Sequence, residues 1–345
     1  MIRLVLRRGT VAEAAPPAGA EQRLVVDVPG RGPRPAIADV GLVGAAHPGD
    51  DVVVNTQAAD LGLGSGGFDV VHANLTRGLG GEGVPGAHVM KLNYSSLQHA
   101  VLPVEGPQLD VPLRRPAAVI SVHGQLAPLV WAAARARPGV RLGFVQTAGG
   151  ALPGGHSRVV ADLRSRALLA GFLTAGPAYG GEREAISAAG AVHHGLRDLG
   201  WDAAVCGPGP GILGSGSVLG HGGLVALDSA HTALALGCEV VLCARMSSGD
   251  PRPRHHGLSH HAHTVLELLL APVTVAVPPG HAGDVPPGPG HEVLELDADA
   301  DVEGYAAAGL PVRTMGRGLD EDRLFFAAAL AAGQTLAAKI ARHER

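Results

Sequence analysis

Short apolar runs separated by turn residues occupy the first third of the chain. They are RLVLRRGTV (3–11), QRLVVDV (22–28), RPAIADV (34–40), DDVVVNT (50–56), FDVVHANL (68–75) and AHVMKLNY (87–94), with PGRGPRP, HPGDD and LGLGSGG between them. Strands at this spacing with almost no helical period predict a small antiparallel β barrel or sandwich over residues 1–110. GDDVVVN reads as a tight turn entering a strand. PVEGPQLDVPLRRP, about residues 103–116, reads as a linker.

From Ala117 the pattern alternates between apolar strands and amphipathic helices. AAVISV precedes LAPLVWAAARAR, VRLGFVQ precedes SRVVADLRSRALLAG, and FLTAG precedes EREAISAAGAVHHGLRDLG. DAAVCG precedes GGLVALDSAHTALALG, and EVVLCAR precedes HAHTVLELLL. PVTVAVP, HEVLEL and VRTMG follow as strands, with helices near 301–309 and 320–343. Apolar strands without alternation, each followed by a helix, predict a mostly parallel, Rossmann-like three-layer α/β domain over residues 117–345. The last helix carries Asp320, Glu321 and Asp322 at its start and Lys339, Arg342 and Arg345 at its end, as the macrodipole favours.

Composition narrows the function. Apolar residues make up 46% of the chain, yet no run of about 18 argues for a membrane span. The start, MIRLVLRRGT, lacks the apolar core and cleavage site of a signal peptide. Cys206, Cys238 and Cys243 have no metal-type spacing, so reduced thiols and a cytoplasmic location are expected. A net charge of −4 with no basic block, and 3% aromatics, argue against a nucleic-acid partner. Lysine occurs only at Lys91 and Lys339, and no Gly-Lys-Ser/Thr triplet exists, so a Walker A loop is excluded.

In an open α/β sheet, ligands bind beyond the carboxyl ends of the strands. Each segment following a strand here is chemically unusual. The first holds His123 and Gln125; the second Thr147, Gly149, Gly150, His156 and Ser157; the third Tyr179, Gly180, Gly181 and Glu182. The fourth is GPGPGILGSGSVLGHGG and the fifth MSSGDPRPRHHGLSHH. Such loops exceed the roughly 2–6 residues that α/β turns require, whereas the opposite connections are short. Five crossover units are thus expected to aim glycines, hydroxyls and imidazoles at one rim.

Gly209, Gly211 and Gly214 fit G-x-G-x-x-G between a strand and a helix, which would suit an NAD(P)-type dinucleotide. Pro208 and Pro210, the long SGSVLGHGG insertion and Arg245 in place of an acidic ribose ligand depart from that fingerprint. A broader expectation is an anion cradle for phosphate or carboxylate. It is built from the backbone of Gly207, Gly209, Gly211, Gly214 and Gly216, with hydroxyls from Ser215 and Ser217 and charge from Arg245.

RHHGLSHHAHTVLELLL (254–270) packs five of eighteen histidines into nine positions. Ser259 is the expected N-cap, with helix from His260. Imidazoles at a helix N-terminus should be neutral. His255, His256, His260 and His261 can then ligate a divalent metal, or His260 or His261 can act as general base, with Asp250 orienting one imidazole and His123 and His156 converging. A crowded, exposed helix start is the third alternative. No G-x-S-x-G elbow and no H-E-x-x-H motif is present, and Cys206 reads as a buried small residue.

DLGLGSGGFDVVHANL, VMKLNYSSLQ, GGALPGGHS, AYGGEREA, GPGILGSGSVLGHGG and RHHGLSHHAHTVL together resemble the bacterial domain-of-unknown-function family 3866. The likeness covers most of the chain. It implies one coherent two-part protein and carries neither an activity nor a catalytic residue. Where the family pattern has an acidic residue after the threonine of the GGALP motif, this chain has Ala148, so no essential carboxylate is expected there.

The sequence thus predicts an enzyme, a hydrolase or transferase of a phosphoester or acyl phosphate, that binds a small anionic molecule. The alternative is a non-catalytic ligand-sensing or scaffold protein, in which LGLGSGG (61–67) and LNYSSLQ (92–98) line an interdomain cleft. Helices LVALDSAHTALALG and FFAAALAAGQTLAAKI are candidates for burial in a homodimer.

Overall fold

The computed structural model describes residues 3–63 and 66–343. The chain divides into two compact units between Leu102 and Pro103. In the first, β1 (Leu6–Ala14), β2 (Glu21–Val28), β3 (Gly32–Asp39), β4 (Asp51–Asn55) and β5 (Asp69–Asn74) close into a barrel in the order β1-β2-β3-β5-β4. Its pairings are antiparallel apart from β3 with β5, which run parallel. Period-2 alternation turns Val11, Leu24, Val26, Val52 and Val54 into the barrel core. Short helices α1 (Val40–Val43) and α2 (Gln57–Asp60) fill two connections.

A separate hairpin pairs β6 (Val89–Lys91) with β7 (His99–Val101). LNYSSLQ (92–98) is its exposed connection, folded on itself: Ser95 Oγ donates to the Leu92 carbonyl and the Tyr94 amide donates to Gln98 Oε1. Within LGLGSGG, Gly64 and Ser65 lie outside the described residues.

The second unit is a three-layer α/β fold. Its strands are β8 (Pro116–Ile120), β9 (Leu142–Thr147), β10 (Gly171–Ala175), β11 (Arg183–Ala185), β12 (Ala203–Pro208), β13 (Glu239–Cys243), β16 (Thr274–Val277) and β17 (Glu292–Glu295). Between β13 and β16 lies a small hairpin, β14 (Met246–Ser247) with β15 (Gly257–Leu258). The eight-stranded sheet has the order β11-β10-β9-β12-β8-β13-β16-β17, with every neighbouring pair parallel.

Helices α3 (Leu126–Ala136), α4 (Arg158–Ser165), α8 (Asp299–Ala307) and α9 (Arg323–His343) cover one face, which receives Ala118 and Ile120. Helices α5 (Ala188–Arg197), α6 (Val225–Ala235) and α7 (His260–Leu268) cover the other, which receives Ala117 and Val119. Burial on both faces explains why these strands read as continuous apolar runs.

One contact depends on missing side chains. Gly143 of β9 and Gly171 of β10 are register partners, and with Gly195 of α5 they form a slot for the buried Trp201 indole. A Cβ at Gly143 would overlap the ring.

The structure departs from the sequence expectations in several places. Residues 103–114 are stitched to the second unit: Val104 donates to the Glu184 carbonyl, Leu113 to Leu236 and Arg114 to Gly237. The stretch read as one helix from 182 opens with edge strand β11. VRTMG does not join the sheet; β18 (Arg313–Thr314) and β19 (Arg317–Gly318) form a two-stranded hairpin. Helix α9 is long and apolar enough to cross a membrane by length and composition, but it is mostly buried among α3 and the central strands. Its apolar residues, and Ala226, Ala230 and Ala233 of α6, face this chain's own core.

Candidate functional site

A parallel sheet sends all its carboxyl ends to one edge. The chain leaves β8 toward β9 on one side and β13 toward β16 on the other, so the crevice between β8 and β13 is a topological switch point. A cavity of about 510 Å³ opens there. The loop after β8 contributes Val122, His123 and Gly124; that after β12 contributes Pro210, Gly211, Ile212, Gly214 and Ser215. The loop after β13 supplies Arg245, Arg252, Arg254 and His255, with His261 from α7. Arg313, Thr314 and Met315 of the β18–β19 hairpin complete the wall. Among the described residues, four arginines and three histidines line it, and none of the lining residues is acidic.

Gln125 fixes the floor. Its Oε1 accepts from the Ser121 and Val122 amides, and its Nε2 donates to the Cys243 and Ala244 carbonyls. The ends of β8 and β13 are thereby locked together beneath the cavity.

Arg245 is 2% exposed and donates from Nη1 to His261 Nδ1 at 2.8 Å. A guanidinium can only donate, so His261 Nδ1 is the acceptor and the ring proton resides on Nε2. Arg245 Nε is buried and has no hydrogen-bond partner. Burial lowers the Arg245 pKa to about 10, against the opposing pull of Asp250.

Asp250 does not orient an imidazole. Its carboxylate accepts from Arg252 Nε and Nη2 at 2.8 and 2.7 Å and from Arg317 at 3.3 Å, and these bonds hold it well below the usual carboxylate range. Only its backbone carbonyl meets a histidine, accepting from His256 Nε2. His256 itself is exposed and turned away from the cavity, lining a different recess with His281. His256 is thus not among the side chains that line the switch-point cavity.

Ser259 caps α7 by accepting from the His261 amide and pairs with His255 Nδ1 at 2.7 Å. The expected neutrality of the helix-start histidines has burial as its main cause. Burial first, then Arg245, pushes His255 to about 3 and His261 to about 2. Burial also lowers His260, with Arg254 next.

His123 is likewise locked. Nδ1 donates to the Pro208 carbonyl at 3.0 Å, and Nε2 accepts from the Ser157 hydroxyl at 2.7 Å. Ser157 Oγ also caps α4 by accepting from the Val160 amide. Burial takes the His123 pKa down to about 4. His156 does not line the cavity.

The glycine loop divides by role. Gly207 packs on Ile120, and Gly209 on the Ala151 carbonyl and Gln146; a Cβ at either would overlap them. Gly149 and Gly150 abut the backbones of Gly222 and Gly209 in the same way, because the loops after β9 and β12 lie backbone to backbone. Gly211 and Gly214 face open space at the cavity. Ser215 Oγ donates to the Gly220 carbonyl and accepts from the Ser217 amide, so its hydroxyl folds the loop. Gly216 and Ser217 are exposed and line no part of the cavity. Helix α6 begins only at Val225, well past Gly214, so the loop does not deliver a ligand to a helix N-terminus as a dinucleotide fingerprint requires.

Thr147, Tyr179, Gly180 and Gly181 also fall outside the cavity. Thr147 lines a small recess beside Asp228 and Ser229. The Gly180 amide donates to Glu184 and that of Gly181 to Thr174, which fixes a turn at the β10–β11 edge. The strand order accounts for this: β9 and β10 lie on the far side of β12 from the switch point.

His221 is the residue that sequence reasoning missed. It is 7% exposed, stacks on His261 at 3.7 Å between centroids, and lies 5.4 Å from the His260 ring. One ring nitrogen from each of His221, His260 and His261 lies within 4.8 Å of the others, so among the described residues these three, and not His255 and His256, come together as a group that could hold a metal ion. Its signal, a histidine enclosed by glycines in GHGG, was visible; its partners were not. Arg313 had no signal at all.

A family model described as a protein of unknown function, DUF3866, matches residues 35–333. The chain belongs to this family. DUF3866 therefore spans part of the barrel and nearly all of the α/β unit, including every residue of the cavity wall. No curated protein and no solved structure matches the chain.

Proposed function

We propose that the switch-point cavity binds a small anionic molecule bearing phosphate or carboxylate groups, as an enzyme of phosphoester or acyl phosphate chemistry would. One observation carries this: Arg245, Arg252, Arg254 and Arg313 share a wall with no acid in it, and the buried Arg245 Nε has no acceptor. Asp250 offsets Arg252, and Asp322 offsets Arg317, which leaves a cationic surplus facing the cavity. A buried donor without an acceptor is costly, and an anion supplies one with a charge-assisted bond. The Nε2–H of His261 and the open backbone at Gly211 and Gly214 add neutral donors around the same ligand.

A second reading, binding without turnover, is favoured by the histidines themselves. The lone pairs of His123 Nε2 and His261 Nδ1 are committed to Ser157 and Arg245, so neither stands ready as a base.

The test is calorimetric titration of chelator-treated protein with inorganic phosphate, pyrophosphate and citrate. Binding of at least one, weakened by ~10-fold or more in Arg245→Met as befits a lost charge-assisted bond, supports the proposal. Equal affinity in a folded Arg245→Met, or no binding by wild type, overturns it. Turnover of a generic phosphoester by wild type separates the enzyme from the sensor.

A further inference from the structure

We infer that His221, His260 and His261 form a binding site for a divalent transition metal beside the anion cavity. His221 is 7% exposed, and beyond a weak approach to the Val218 backbone its ring nitrogens make no hydrogen bond of ordinary geometry; His260 Nε2 is also buried and unpartnered. Buried polar nitrogens are rarely left unsatisfied without a ligand or a functional reason. With His261, these nitrogens lie within 4.8 Å of one another.

A tetrahedral zinc ion with bonds near 2.0–2.1 Å brings its ligand atoms to about 3.4 Å apart. On binding, the nitrogens must therefore close by up to about 1.4 Å, and His221 must turn out of its parallel stack on His261 so that both in-plane lone pairs face the ion. The backbone at Gly222 stays packed on Gly149, so this movement comes from rotation of the imidazole side chains.

The donor set selects the ion. Three imidazoles with no carboxylate or thiolate suit Zn²⁺, Co²⁺, Ni²⁺ or Cu²⁺ and reject Mg²⁺ and Ca²⁺, which take oxygen ligands. Asp250, the buried acid of the neighbouring loop, is already committed to Arg252 and Arg317. Three protein ligands leave a coordination position open, the pattern of zinc sites that work on a bound ligand rather than only holding a fold.

Arg245 imposes a condition. It occupies His261 Nδ1. A metal at Nδ1 displaces the guanidinium directly; a metal at Nε2 moves the ring proton to Nδ1, and the guanidinium must again turn away. Metal binding and the Arg245–His261 bond are therefore alternatives, and the guanidinium released is free for the anion.

The experiment titrates Co²⁺ and Zn²⁺ into tag-free, chelator-stripped full-length protein, reading Co²⁺ visible absorption and its displacement by Zn²⁺. Wild type should take up one equivalent with nitrogen-ligand bands. His221→Ala and His260→Ala should each weaken uptake by at least ~10-fold, while His263→Ala, an exposed residue of the same helix facing Glu267, should not. Arg245→Met should retain the metal while losing anion affinity, so the two sites fail separately. No stoichiometric uptake by folded wild type, or uptake unchanged in both His221→Ala and His260→Ala, overturns the inference.

Discussion

Arg245 Nη1 stands 2.8 Å from His261 Nδ1, and both groups are buried. A permanent cation held against an imidazole fixes that ring as neutral and as the Nε2–H tautomer. The first prediction concerns this pair. In metal-free wild type, nitrogen chemical shifts should report His261 as Nε2–H, and this population should be lost in Arg245→Met. A protonated His261 near neutral pH would contradict the assignment.

His123 makes acid a denaturant. Its folded pKa of about 4 lies below the ordinary histidine value of 6.5, so between these values the unfolded chain binds the extra proton. Stability from this residue is therefore complete above pH 6.5 and falls as pH drops toward 4, by up to about 3 kcal/mol. Denaturant midpoints measured across that window should show a smaller acid-dependent loss in His123→Gln than in wild type. Parallel slopes would remove His123 as a cause.

The Trp201 slot should be intolerant of a single methyl. Gly143→Ala places a Cβ inside the indole, an overpacking that costs about 1–3 kcal/mol or more. Urea unfolding of Gly143→Ala should show it, and Trp201→Phe in the same chain should recover part of the loss. Full wild-type stability in Gly143→Ala would mean that the slot is not tight.

Asp322 holds the arginine loop from outside the cavity. It is fully buried, accepts from the Ser247 hydroxyl and the Ser248 amide at 2.8–2.9 Å, and pairs with Arg317. Asp322→Ala leaves Arg317 without this partner and should cost about 3–5 kcal/mol. The milder Asp322→Asn should weaken pyrophosphate binding while preserving the fold, because the 247–255 turn loses its anchor. Anion affinity unchanged in Asp322→Asn would confine this acid to stability.

Local pattern carried the architecture. The β-rich start, the alternating strands and helices and the Ser259 N-cap were all legible, because burial on one or two faces of an element writes a period into the chain. The loops bearing odd chemistry were legible for a related reason. In a parallel sheet every loop after a strand reaches the same edge, so chain order alone assigns a loop to the rim.

Neighbours along that rim were decided elsewhere. The order β11-β10-β9-β12-β8-β13-β16-β17 draws the loops after β8, β12 and β13 into one cavity and leaves Thr147, Tyr179, Gly180 and Gly181 outside it. It also carries His221, from the loop after β12, onto His261 at the start of α7. Residues far apart in sequence meet because strand β8 lies between β12 and β13, and pairing between strands leaves no period in the chain that forms them.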